Sequence, residues 1–493
     1  MWASIRAAFG GPTGPYGEDP WSRLRKDRSM RSRQQDEDRL QGTSNRAFLR
    51  QTCMDLYRTS GLAKAAVNRI ADYSTTCAPY PVTPDGEYNK ESAEFFSDWT
   101  RIADYRQRPG VTLCSFVHMI HIADHLHGEL FFILLANGQL QPIEADRIGT
   151  PREYRDDPAV TDGIRTNAHG IITHYYVLDR DKYGAPDPAH FKRIAANDMI
   201  HVADPWRVDM LHGIPRLHGA VQKLEDYAET DDAMRAKVKN EAQRFFQTDQ
   251  SLPLGGGRVR SAGPDGAKYK VLQTEIGTVF DGPGSLDILE GKSPGTTYTP
   301  HMVEECKAVA AACDIPYEYL MMVFTAGSYN AQKGARLAFR DTCTRRAAFV
   351  SRLFLQRAWE WRIAKAINAG EIRPAPIVRN ARGVPRSTWN RVEWGKPVFQ
   401  DIDLGRDVSA KSAAWAAGQQ SLRDQHDHPY QVLADKVADI KEADRLAQEL
   451  NKSLGTGKIT WQHIINAGVP GLTIPPAEGD ENDPTPPQGE QDE

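Results

Sequence analysis

Residues 321–370 read MMVFTAGSYNAQKGARLAFRDTCTRRAAFVSRLFLQRAWEWRIAKAINAG. The stretch opens on a polar, Gly-containing segment, residues 325–333, and continues into a long helical pattern. Leu337, Val350, Leu353, Phe354, Ile363 and Ile367 are spaced by threes, fours and their sums, the period of one helix face. Between Arg336 and Lys365 stand eight basic residues (Arg336, Arg340, Arg345, Arg346, Arg352, Arg357, Arg362 and Lys365) against Asp341 and Glu360. At about 1.5 Å per residue, the helix predicted after the loop is a rod roughly 50 Å long. Two readings of it stand. It is a tool for handling a polyanion, with a polar loop at its head, or it is a core helix with a solvated basic face.

The whole chain bounds the choice. Its 493 residues suffice for about three domains and a sizeable core. A net charge of −4 argues against a protein that coats nucleic acid by bulk attraction. It suits one past which DNA must slide, because tight phosphate contacts arrest movement. Cys53, Cys77, Cys114, Cys306, Cys313 and Cys343 form no C-x-x-C pair and are expected to be reduced, mostly buried thiols of a cytoplasmic protein. The first residues carry one charge and no long apolar run, unlike a secretory signal. The most apolar run, residues 130–136, is far too short to span a bilayer, so no membrane partner is expected.

Candidate chemistry is sparse. His118, His121 and His125 fall on one helix face, with Glu129 following. Three imidazoles so placed can bind zinc, but H-E-x-x-H is missing and no thiolate is near, which favours packed or surface histidines. Glu144 and Asp146, two apart on a predicted strand, lack a partner base or nucleophile and read as anchors of a turn. EGKS at residues 290–293 is no phosphate loop, since Leu286 stands where its first Gly is required and Pro294 follows at once. Arg23, Arg25, Lys26, Arg28, Arg31 and Arg33 cluster in a Gly- and Pro-rich arm that binds nucleic acid or packs on a neighbouring subunit.

Around these lie ordinary elements. Residues 44–76 read as one or two helices with Leu62, Ala65, Ala66, Ile70 and Ala71 buried. Residues 115–136 read as a helix then a strand. Asn137-Gly138, Asp162-Gly163 and His169-Gly170 punctuate antiparallel strands. A second long helix from Arg216 carries Ile214, Leu217, Val221, Leu224 and Ala228 on a near-heptad stripe, acidic in its first half and basic in its second. That seam suits packing against copies of itself or within one monomer's core. A third helix from Tyr298 places Met302, Cys306, Val309, Ala310 and Cys313 on one face, and Asp314-Ile315-Pro316 interrupts it. The tail from Gly471 is Pro-rich and acidic and reads as disordered.

Several phrases, in order, carry a resemblance. They are Gly128-Glu129 before a strand, IEADRIGTP, the DGIRTNAHG hairpin, and ANDMIHVADPWRVDMLHGIP. Ala310, Ile315, Pro316, Tyr317, Glu318 and Leu320 then precede SYNAQKGARLAFRDTC, and Trp394, Pro397, Ile402, Asp403, Asp407 and Ala410 follow. Together they resemble the lambda-type portal proteins of tailed bacteriophages. Asn167 stands at a usual Asp, His212 at a usual Arg, and Leu404-Gly405-Arg406 replaces the usual Pro-x-Lys.

The resemblance implies an α+β subunit of a ring, usually of twelve, at the capsid vertex of the virion. It implies a mixed wing (45–215 and 334–404), a stem of long helices (216–250 and 298–321), a small β-containing clip (251–297) and a helical crown (405–470), with an arm at 1–44 and a tail at 471–493. A tunnel loop at 322–333 offers Ser328, Tyr329, Asn330, Gln332 and Lys333 to double-stranded DNA, and the long helix after it offers Arg336 and Arg340 to DNA or a neighbour. The implied partners are further copies of the chain, the terminase large subunit, the head–tail adaptor, and the major capsid and scaffolding proteins. No cofactor and no catalysis are implied. The residues alone leave two alternatives, a metal-dependent hydrolase built on the histidine face and a monomeric nucleic-acid-binding module.

Overall fold

The computed structural model describes residues 37–242, 246–248, 258–261, 268–274, 277–281, 287–288, 298–324, 329–375, 377–379, 385–399, 413, 429–454 and 460. The chain divides into two units, Met1–Phe399 and Gln400–Glu493. The arm's basic cluster, Ser328, residues 402–410 and the acidic tail lie outside the described residues.

The first unit opens with helices α1 (Glu37–Thr59) and α2 (Gly61–Ser74). The helix starts at Glu37, so it takes in the last residues of the expected arm. Ser60 separates the two helices and caps α2, its hydroxyl accepting from the Ala63 amide. Ala66, Ile70 and Ala71 are buried as the pattern predicts, with Ala63 and Val67 beside them. Strand β1 (Pro79–Pro81), α3 (Gly86–Thr100) and α4 (Leu113–Leu126) follow. Thr112 and Ser115 form a capping box at the head of α4.

Strands β2 (Glu129–Leu134) and β3 (Leu140–Ile143) form an antiparallel hairpin. Strands β4 (Val160–Thr161), β5 (Ile164–Thr166), β6 (Ile172–Arg180) and β7 (Pro186–Ala195) form an antiparallel meander. Its first turn places Asp162 at φ 44° and Gly163 at φ 87°, the left-handed pair that a tight two-residue hairpin needs. Strand β8 (Met199–Ala203) pairs with β2, giving a three-stranded sheet in the order β3-β2-β8. The strand reading of Glu144 and Asp146 is corrected. β3 ends at Ile143, Ala145–Arg147 is a 3-10 turn, and both carboxylates reach Arg180 on β6.

A 3-10 turn, Arg216–Ala220, leads into α5 (Val221–Ala242). Leu217 and Leu224 are buried, whereas Ala228 is exposed, so the heptad stripe is covered only in its first turns. Strands β9 (Phe246–Thr248), β10 (Arg258–Ser261), β11 (Lys268–Thr274), β12 (Gly277–Asp281) and β13 (Asp287–Ile288) form one sheet, ordered β10-β11-β12-β9-β13. In α6 (Tyr298–Ala312) Met302, Cys306, Val309 and Ala310 are buried, with Cys313 just beyond, which is the predicted face. The short α7 (Tyr317–Met321) precedes the long helix.

That helix is α8 (Tyr329–Val350), a π-helical segment Ser351–Leu355, and α9 (Gln356–Ala369), ended by Gly370 in the left-handed conformation. It begins at Tyr329 rather than after Lys333, because Ala331, Gln332 and Lys333 are good helix formers with no Gly or Pro among them. Val350, Phe354 and Ile363 are buried as expected, but Leu337 is exposed and Phe339 and Cys343 take the core side. Leu337 stands two residues from Phe339, about 200° around the helix. The π segment packs where Phe354 meets Phe132, with ring centroids 4.5 Å apart. Nearby, Trp359 meets Phe96 at 4.9 Å. Burial of each such ring contributes about 1.5–3 kcal/mol, so this sheet-on-helix layer is the main anchor of the long helix.

The hairpin β14 (Ile377–Arg379) and β15 (Pro385–Ser387) follows. Strand β16 (Val392–Trp394) then returns to pair with β1. The second unit contains α10 (Pro429–Leu454).

One expectation about the cysteines is overturned. Cys53, Cys306, Cys313 and Cys343 are buried free thiols, but Cys77 and Cys114 form a disulfide with Cα atoms 5.6 Å apart. The capped first turn of α4 lies against the segment leaving α2, which brings residues 37 positions apart in sequence to bonding distance.

Candidate nucleic-acid interface

The long helix is held differently along its length. Toward its C-terminal end the basic side chains are rivets. Arg346 Nη1 lies 3.2 Å from Asp204 and 3.7 Å from Asp124. Arg216 shares both acids, with its Nε 2.9 Å from Asp124. Arg357 donates to the Asn197 carbonyl at 3.0 Å, and Lys365 to the Ala136 carbonyl. Arg362 pairs with Glu371 at 2.9 Å and lies over the Phe95 ring. For these residues the core-helix reading is the right one.

At the head the picture reverses. Phe339 packs against Tyr319, with centroids 4.7 Å apart, and against Tyr73 at 5.3 Å. This aromatic cluster is the last buried anchor before the helix start. Beyond it Asn330 is exposed, while Gln332 and Lys333 are half-buried. Gln332 donates back to the Phe324 carbonyl. Arg336 is half-buried, and Arg340 is exposed with the Asp341 carboxylate 3.8 Å away. The structure therefore places Asn330, Gln332 and Lys333 on the first turns of α8, not in a loop, and Arg336 and Arg340 on the same helix, as expected. Tyr329 is described in its backbone, as the first residue of α8. Residues 321–324 expose Met321, Met322, Val323 and Phe324 in succession, with Met322 in the left-handed region at φ 54°.

The histidine face is occupied by packing. His118 reaches Asp72 at 3.0 Å, and His125 Nδ1 lies 2.8 Å from the His121 carbonyl. Burial and the neighbouring His125 push His121 down to about 3, and burial likewise depresses His125. Among the described residues no group of three or more His, Cys, Asp or Glu is arranged to hold a metal.

A buried charge site that the sequence did not reveal joins α1, β2 and β8 with the segment that follows β8. Glu129, at the start of β2, pairs with Arg50 of α1. Its Oε2 lies 3.0 Å from His201 Nε2 and accepts from the Gly213 amide at 3.1 Å, and His212 Nδ1 stands 3.0 Å from Oε1. Burial pushes this carboxyl up, but His212, His201 and Arg50 outweigh it and hold it well below the usual carboxylate range. Gly128 and Gly213 make the site possible. A Cβ on Gly128, which sits at φ +80°, would fall 2.3 Å from the Ile214 carbonyl carbon. One on Gly213 would fall 1.9 Å from the Gly128 oxygen. Glu129, His201 and His212 each stood out in the phrases above, but nothing in their spacing shows that they meet.

The family model described as phage portal protein, lambda family, matches residues 23–346. The chain belongs to this family. It is thus a phage portal protein, a structural component of the virion at the capsid vertex. The match covers the head of the portal's long helix and ends at Arg346, the first rivet. No curated protein sequence matches significantly.

Among solved structures, the portal chain is similar to one from the neck of an empty GTA particle. That likeness has a TM-score of 0.44 at 14% identity, over 74% of this chain and 89% of that one. It is also similar to chains from the virion of a native gene transfer agent particle (0.41, 14%, 76% and 89%) and from the neck of the native particle (0.41, 14%, 75% and 90%).

Proposed function

We propose that the chain is one wedge of a closed ring of twelve identical subunits, through whose channel double-stranded DNA enters the capsid and later leaves. In this reading α5 and α6 are the stem. The sheet β9–β13 is the clip, which docks the terminase large subunit and afterwards the head–tail adaptor. Helix α10 belongs to the crown, and the body built on β2, β8 and the long helix is the wing, facing capsid and scaffolding proteins. Residues 322–333 are the tunnel segment in this reading. Ser328, Tyr329, Asn330, Gln332 and Lys333 meet the duplex there, and Arg336 and Arg340 meet DNA or the neighbouring subunit.

The observation that carries the reading is the change in how the long helix is held. Arg346, Arg357, Arg362 and Lys365 are tied to the body, whereas Asn330, ahead of the Tyr319–Phe339 anchor, and Arg340, just after it, are exposed. Polar side chains that are largely uncharged touch phosphates without holding them, which a sliding duplex requires. Mass measurement and electron-microscopic class averages of the purified protein test it. A ring near twelve times 55.0 kDa, with a hole that admits a duplex, supports the proposal. A monomer that binds DNA without assembling contradicts it.

A further inference from the structure

We propose that Cys77 and Cys114 form a reversible redox modification site, a dithiol that exchanges with small-molecule disulfides of the glutathione class and so staples α4 to the connector between α2 and β1. The pair is set apart from the other cysteines by geometry. Both residues are half-buried and their Cα atoms are 5.6 Å apart, within the span a disulfide bridges. Cys53, Cys306, Cys313 and Cys343 are buried. Burial pushes Cys53 and Cys313 up to about 12 and Cys343 up to about 11, which leaves them little thiolate at neutral pH.

The exchange runs in two steps. A thiolate of the pair attacks the small disulfide, releasing one small thiol and leaving a mixed disulfide on the protein. The second cysteine attacks the protein-side sulfur, forms the Cys77–Cys114 bond and releases the second small thiol. Two electrons pass from the pair to the small disulfide, and the two protons end on the released thiols.

Closure acts on a defined place in the fold. Cys77 stands just before β1, which pairs Pro79 with Trp394 and Pro81 with Val392 of β16. The Gly395 amide donates to the Ala78 carbonyl at 3.0 Å. The staple therefore fixes the ribbon that fastens the last strand of the first unit, close to where that unit ends at Phe399. The site is independent of the ring reading, since every residue in it lies in one subunit.

The test equilibrates the full chain in glutathione buffers of graded ratio, followed by acid quench, differential alkylation and peptide mapping. Melting curves accompany each ratio. A Cys77–Cys114 peptide that appears and disappears with the ratio, while the other four cysteines stay thiols, is the expected result. The oxidised form should melt about 5 °C higher, a gain that Cys77→Ser and Cys114→Ser both abolish. Should either variant fail to fold, mapping of the unaltered chain still decides. Free thiols at the most oxidising ratio, mixed adducts without a bridge, or identical melting of both forms would overturn the proposal.

Discussion

In the body-facing part of the long helix, Arg346, Arg357, Arg362 and Lys365 each end on an oxygen of another element. In its first turns, Asn330 and Arg340 point outward and Lys333 and Arg336 are half-buried. The composition barely changes between the two regions, yet the packing around them does: Phe354, Trp359 and Ile363 are buried along the riveted part, and Phe339 is the first buried side chain after the helix start. A cation beside packed sheet and aromatic rings is desolvated and must find an acceptor, so it becomes part of the scaffold. At the helix head Lys333 and Arg336 are half-buried, and Arg340, just after the Phe339 anchor, is exposed beside Asp341. Charge content alone does not tell a rivet from a contact. The neighbouring apolar positions do.

Substitutions in the two regions should separate stability from function. The largest effect is expected in the buried charge site, at Glu129→Ala. It leaves Arg50 buried without its carboxylate and should cost about 3–5 kcal/mol in denaturant unfolding. Gly128→Ala comes next, at about 2–4 kcal/mol, because the added methyl meets the backbone at 214 and the residue is held at φ +80°. A cost within 0.5 kcal/mol, the usual range for a surface change, would remove this site from the scaffold.

The pH dependence of stability sharpens the same contrast. His121 has a folded-state value near 3, depressed from 6.5, so the unfolded chain binds a proton that the folded one refuses between these values. Stability therefore falls as pH drops below 6.5, by about 2 kcal/mol at pH 5 from this residue alone. Glu129 adds to the loss only below about 4.5, since its depressed carboxyl stabilises the fold above that value. His121→Gln should flatten the limb between pH 6.5 and 4.5 in thermal melts, and an unchanged limb would show that His121 is not the titrating group. At the helix head, Asn330→Ala and Arg340→Ala should change stability by less than about 0.5 kcal/mol while altering DNA packaged per particle.

Much of the fold was legible because local chemistry determined it. The hairpin turns at Asn137-Gly138, Asp162-Gly163 and His169-Gly170 followed from residues that accept positive φ, and the buried face of α6 from its period. What failed depended on contacts distant in sequence. Leu337 was placed on the core face by a single unbroken period, whereas the helix passes through a π segment and Phe339 and Cys343 take the buried side. Cys77 and Cys114, 37 positions apart, carried no spacing that marks a pair. The meeting of Glu129 with Arg50, His201 and His212 needs four separate segments to converge, which no local pattern encodes. For the interface, the basic stripe and its polar head were visible in sequence, but not which cations were already taken.

Site-specific photo-crosslinking in DNA-filled particles tests the central claim most directly. A photoreactive side chain is placed singly at positions 330, 333 and 340 of the helix head, and at 357 and 362 of the riveted region. The account predicts DNA adducts at the head positions and none at 357 or 362. Adducts confined to the riveted region, or none at any head position in particles shown to hold DNA, would contradict it.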